Sequence, residues 1–169
     1  MLDFLFRGLT ADQAGTALFD ALTREARQPH WYAEGTVPDT LDGRFAALAT
    51  VVALCAVRLE REGETGDRAS VALTERFIAV MESEHREFGL GDPTLGKTVR
   101  KLVRSLARRT GVWRAAVARE LDWTEATRES LYGGGVSPEG LRHSAEALER
   151  LWQRLGRSDL HQLEQGKLQ

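Results

Sequence analysis

Along most of this chain, apolar residues recur at spacings of three and four, and no stretch alternates convincingly with a period of two. The first spacing lines one face of a helix; a half-buried strand needs the second. The chain is therefore expected to be all-α, a single compact domain of about six helices. Residues 11–27 set Ala14, Leu18, Ala21 and Leu22 on one stripe, and Pro29 stops that helix. A loop follows through His30, Trp31, Tyr32, Gly35 and Pro38. Its Trp31 and Tyr32 either form an exposed contact site or plug the core, and the usual burial of aromatics favours the plug.

The next helix starts near Asp39 or Thr40, with Asp39 as its cap and Asp42 three residues on. It runs to about residue 62, and its charge-free middle, 13 residues from Phe45 to Val57, should be buried on most sides. After a turn over residues 63–67, residues 70–88 read as amphipathic, with Val71, Leu73, Phe77, Ile78 and Met81 inside. Asp92-Pro93 reads as a cap followed by proline at the first helical position. The helix it opens carries Gly111, a candidate bend. A shorter helix over about residues 123–132 ends at Gly133-Gly134-Gly135. Ser137-Pro138-Glu139 opens another, closed by Gly156, and Ser158 is expected to cap a short terminal helix. The segments are thus an amphipathic start (1–10), an all-α domain (11–157) and a short tail (158–169).

A chain of 169 residues, 42% hydrophobic and 28% charged, can bury enough surface to fold without a disulfide or structural metal. Its one cysteine, Cys55, cannot pair within the chain. The 13-residue charge-free run is too short to span a bilayer. The start of the chain, Leu2, Phe4, Leu5, Phe6 and Leu9 with Asp3, fits neither a secretory signal nor a transit peptide. A disulfide scaffold, a membrane-spanning protein and a secreted precursor are therefore not expected.

Gly91-Asp92-Pro93-Thr94-Leu95-Gly96-Lys97-Thr98 matches the phosphate-loop pattern letter for letter. Its context contradicts it. A helix, rather than a strand, precedes it, Pro93 deletes an N–H the phosphate cradle would use, and no later strand ends in a metal-binding aspartate. No nucleotide is expected. His30, His85, His143 and His161 are scattered, with no pair at ligand spacing, so no metal and no cofactor are expected. Glu82, Glu84 and Glu87 surround Arg86 and read as a solvated face. No catalytic constellation stands out, and a non-enzymatic protein is expected.

Charge is divided unevenly. Residues 1–92 carry 9 Arg and no Lys against 16 acids; residues 93–169 carry 14 basic residues against 9 acids. Lys97, Arg100, Lys101, Arg104 and Arg108 fall on one helical stripe opposite Val99, Leu102, Val103 and Leu106. Such a stripe suits nucleic-acid phosphates, an anionic membrane or an acidic partner; equally, it suits a solvated face paired with the acidic first half. Aromatics that would stack bases are not interleaved with it, which weakens RNA most.

Three blocks carry a resemblance. The first is Ala26-Arg27-Gln28-Pro29-His30-Trp31-Tyr32 with Val37-Pro38-Asp39-Thr40-Leu41-Asp42-Gly43-Arg44-Phe45. The second is Phe88-Gly89-Leu90-Gly91-Asp92 with Gly96-Lys97 and Val99-Arg100-Lys101, and the third is Leu131-Tyr132-Gly133-Gly134. Together they resemble the ubiquinol–cytochrome c chaperone family over about residues 18–156. Its motif positions here are Pro38, Asp39, Asp42, Gly43, Arg44, Phe45, Gly91, Asp92, Gly96 and Lys97. The resemblance implies a bacterial relative of the mitochondrial cytochrome b assembly chaperone, acting on the respiratory bc1 complex. The implied client is cytochrome b, and a ribosome, a small partner subunit and an anionic membrane surface are further candidate partners. It also implies a place in the cytoplasm or peripherally on the inner face of the plasma membrane. The alternative is a nucleic-acid- or ribosome-binding helical module acting through the arginine-rich helix. Asp39 and Asp92 are expected to cap their helices, and Arg44 to find Asp92 or Asp42 as its acid.

Overall fold

The charge-free run decides the architecture. In the computed structural model, which describes residues 11–87, 89 and 91–169, that run lies inside helix α3 (Leu41–Leu59). From Ala46 to Leu59 every residue of α3 except Leu48 is buried. A helix apolar on all sides must be surrounded, and α1 (Ala11–Ala26), α4 (Gly63–Glu87), α5 (Asp92–Val117), α6 (Trp123–Leu131) and α7 (Pro138–Arg157) all pack on it. Leu18 and Leu22 of α1, Phe77 of α4, Trp113 of α5 and Leu148, Leu151 and Leu155 of α7 are fully buried around it. Each such side chain contributes about 1.5–3 kcal/mol of burial. Among the described residues there is no strand, and the fold is all-α.

One short helix joins those expected, and the expected short terminal helix is present. The one-turn α2 (His30–Ala33) replaces the predicted loop, and α8 (Leu160–Glu164) packs on α1. Asp159, rather than Ser158, caps α8, in a reciprocal capping box with Gln162. Ser158 is buried instead; its hydroxyl donates to the Arg154 carbonyl at 3.2 Å and accepts from the Gln169 N–H at 3.1 Å.

The starts of α3, α4 and α5 differ from expectation, while α6 begins at the expected Trp123 and α7 at Pro138 with Ser137 as its cap. Thr40, not Asp39, caps α3: its backbone is extended and its Oγ1 accepts from the Gly43 N–H at 3.1 Å. Asp39, one residue too early to reach the first turn, instead takes the Arg44 guanidinium at 2.7 Å. Asp39, not the expected Asp42, is thus Arg44's acid, and the Asp92 side chain lies outside the described residues. Asp92 is itself the first residue of α5, and Gly91, extended at ψ 157°, is the cap residue. Helix α4 begins seven residues before the expected Ser70. The 3₁₀ turn Glu60–Glu62 ends α3, Gly63 reverses the chain at φ +62°, and Gly66 lies buried against the Leu59 carbonyl, so residues 63–67 wind as helix. α5 continues through Gly111 without interruption.

Candidate functional site

The basic stripe keeps its predicted place. Lys97, Arg100, Lys101, Arg104 and Arg108 are all exposed on α5, while Leu106 is buried and Val99, Leu102 and Val103 half-buried on the other side. None of the five forms an ion pair among the described residues. Acids of the first half that reach cations of the second take other ones: Glu60 pairs with Arg114 at 2.7 Å and Glu25 with Arg154 at 3.0 Å. The stripe's field is therefore left facing outward.

The phosphate-loop look-alike is a helix start. The Leu95 N–H donates to the Gly91 carbonyl at 2.9 Å, and residues 92–98 are helical. Backbone donors that a phosphate would need are committed to the helix from Leu95 onward.

The first sequence block builds a buried entry to α3. Trp31 is 1% exposed, with its indole donating to the Glu25 carbonyl at 2.8 Å, so it plugs the core. Tyr32 is half-buried and donates to the Ala26 carbonyl at 3.0 Å. Gly43 is required by proximity, because a Cβ there would stand 1.8 Å from the Pro38 carbonyl oxygen. Thr36 is held at φ +53° in the turn before α3, and Gly140, at the start of α7, would drive a Cβ to 2.3 Å from the Thr36 Oγ1. The Tyr132 hydroxyl bridges the same two elements, bonding the Gly35 carbonyl and the Ser144 hydroxyl.

Sequence reasoning missed a buried polar hub at Ser130, beside the third block. Its hydroxyl accepts from the Trp113 indole at 3.1 Å and meets the Thr50 hydroxyl at 2.8 Å. Its carbonyl accepts from Arg109 at 2.9 Å and Thr50 at 3.2 Å. Side chains from α3 and α5 thus converge on α6. Arg109 is 7% exposed, has no acid among the described residues, stacks 5.7 Å over Phe45, and burial lowers its pKa to about 10.

The histidines are not all scattered. His30 Nδ1 and His143 Nε2 lie 3.1 Å apart, 113 residues distant in sequence. Burial first, then the His143 charge, lowers the pKa of His30; Arg150 lowers it further, while Glu25 and Glu34 oppose. No spacing rule reaches across 113 residues. Among the described residues no three His, Cys, Asp or Glu side chains gather as metal ligands. The buried Cys55 thiol is pushed up to about 12 by desolvation, far from a nucleophile's range.

A groove of about 1130 Å³ opens between the C-terminal end of α5, the following turn, α6 and α7. Trp123 and Trp152, both half-buried, line it. Trp123 is fixed there by its indole bond to the Ala145 carbonyl at 3.1 Å and by the Trp113 ring at 4.9 Å. The sequence carries no signal for this groove beyond the two tryptophans themselves. Among the described residues no helix is long and apolar enough to cross a membrane.

Fold and surface together define an all-α protein whose exposed features are an unneutralised cationic helix face and an open groove. The chain belongs to the ubiquinol–cytochrome C chaperone family, whose model matches residues 33–168. It is similar in fold to the crystal structure of the Cbp3 homolog from Brucella abortus, with a TM-score of 0.78 at 24% identity over 99% of this chain and 95% of that one. No curated protein matches.

Proposed function

We propose that the chain is a non-enzymatic assembly chaperone for cytochrome b of the respiratory bc1 complex, holding its client by surface contact beside the membrane. Membership of the chaperone family over residues 33–168 carries this reading. It is supported by the stripe of Lys97, Arg100, Lys101, Arg104 and Arg108, exposed and without ion-pair partners among the described residues. Near an anionic bilayer each such cation contributes about 1 kcal/mol, so several give reversible attachment where a membrane-inserting client emerges. The amphipathic start, Leu2 to Leu9, lies outside the described residues.

Deleting the gene should lower the cytochrome b haem signal of membranes and the amount of assembled bc1 complex, with other membrane proteins intact. Unchanged haem spectra would refute the client assignment. The stripe is tested separately by liposome flotation. Binding should require acidic lipid, weaken with salt, and drop when Arg100, Arg104 and Arg108 are changed to Glu; equal flotation of that variant would remove the stripe from the reading. A nucleic-acid module acting through the same residues predicts retention of RNA at low salt with a steep loss as salt rises.

A further inference from the structure

The groove at the far end of α5 has a floor and a rim of different character. Val117, Leu121, Trp123, Val136, Leu141 and Trp152 supply apolar surface. At about 1130 Å³ it exceeds the usual range of small-molecule sites, about 300–1,000 Å³, and it is open to solvent. Around it stand four carboxylates, Glu120, Asp122, Glu146 and Glu149, all exposed and none in an ion pair among the described residues. Of the cations at the rim, Arg128 is committed to Glu125 at 3.3 Å, which leaves Arg119 and Arg142, with Arg61 standing 5.8 Å over the Trp152 ring, against four carboxylates. Negative charge is therefore in excess at this surface.

The lip also stores strain. Arg119 sits at φ +61°, in the position after the α5 cap where the Glu120 N–H returns to the Ala115 carbonyl at 2.9 Å. Glycine is the usual residue there, and an L side chain in this conformation is disfavoured by its Cβ. A long cationic side chain is thus kept at the edge of the groove against local preference.

We infer that this groove seats a short apolar peptide segment flanked by lysine or arginine, with the excess carboxylates taking the flanking cations and the two tryptophans the apolar part. That is the chemistry of a membrane-protein segment at its cytoplasmic boundary, and the inference rests on the chaperone reading above. One helix carries both surfaces: Arg108 of the stripe and Ala116 of the groove are separated by about 12 Å of helical rise.

Tryptophan emission reads the test directly, because Trp31 and Trp113 are buried at 1% and 0% exposure while Trp123 and Trp152 line the groove. The probes are two tryptophan-free synthetic peptides with the same leucine–alanine core, one flanked by lysines and one by glutamates. The lysine-flanked peptide should shift the emission saturably to the blue and bind at least about tenfold more tightly than the other, equivalent to ~1.4 kcal/mol. Glu146→Lys with Glu149→Lys should reverse that preference. Glu75→Lys with Glu84→Lys, which changes net charge equally on exposed positions of α4, should leave it intact. Circular dichroism melts of both variants establish that they are folded.

No binding, equal binding of the two peptides, or a preference that follows net charge in both variants would overturn the inference. A blue shift that grows with protein concentration without peptide, accompanied by dimers in sedimentation, would assign the groove to a second copy of the chain and overturn it too. Failure here with loss of haem signal on gene deletion removes the groove alone. Normal haem spectra on deletion remove the chaperone reading itself.

Discussion

Replacing Ser130 by alanine probes the hub that joins α3, α5 and α6. One proton arrangement satisfies every group: Ser130 Oγ accepts from the Trp113 indole and donates to Thr50 Oγ1, while Thr50 donates to the Ser130 carbonyl. Removing Oγ leaves the Trp113 N–H, at 0% exposure, without its acceptor. An orphaned buried donor costs about 1–3 kcal/mol. Thr50 keeps its carbonyl partner at 3.2 Å, so its loss lies near the low end of a hydrogen bond, about 0.5 kcal/mol. The expected total is about 1.5–3.5 kcal/mol, which for a domain of this size lowers Tm by about 3–14 °C.

Urea denaturation should show a reduced midpoint with unchanged slope, since the native surface is retained. Trp113→Phe removes the donor itself, so the two substitutions together should cost about 1–2 kcal/mol less than their sum. Additivity within about 0.5 kcal/mol would refute the hub, as would a cost of Ser130→Ala below that value.

Three further outcomes follow from named contacts. His30 has a folded-state pKa below its ordinary 6.5, so the folded state disfavours its charged form. The stability tied to neutral His30 is present above pH 6.5 and is lost as pH falls through its lowered pKa. Burial, the larger cause, survives His143→Leu, so that variant should reduce this acid-side loss without abolishing it in urea titrations at stepped pH, and an unchanged profile would exclude the His143 contribution. Arg58, 7% exposed, donates from α3 to the Leu155 carbonyl in the last turn of α7 at 3.1 Å and to the carbonyl of Ser158, its C-cap residue, at 3.0 Å, and pairs with Glu62 at 2.6 Å. Arg58→Met should cost about 2–4 kcal/mol and accelerate amide exchange at the α7–α8 junction before the rest of the bundle. Cys55, fully buried with its thiol pushed up to about 12, should resist an aromatic disulfide reagent in the native protein and react at the unfolding rate; fast native labelling would contradict its burial.

Periodicity alone was enough for the all-α class and for the central place of α3, because burial on every side needs only an unbroken apolar run, and that is written locally. The outward basic stripe was legible for the same reason: a 3.6-residue repeat fixes which side chains share a face. Helix starts were less legible. Asp39 and Thr40 are both good capping residues, and only the backbone turn into α3 decides that Thr40 caps while Asp39 takes Arg44. What tertiary structure alone decided are contacts between distant segments. His30 meets His143, Thr50 meets Ser130, Arg58 closes the end of α7, and the groove exists only where α5, α6 and α7 diverge. No local pattern encodes them, because each depends on the order and angles in which helices pack, and those are set by the sum of many apolar contacts rather than by any one residue's neighbours in sequence.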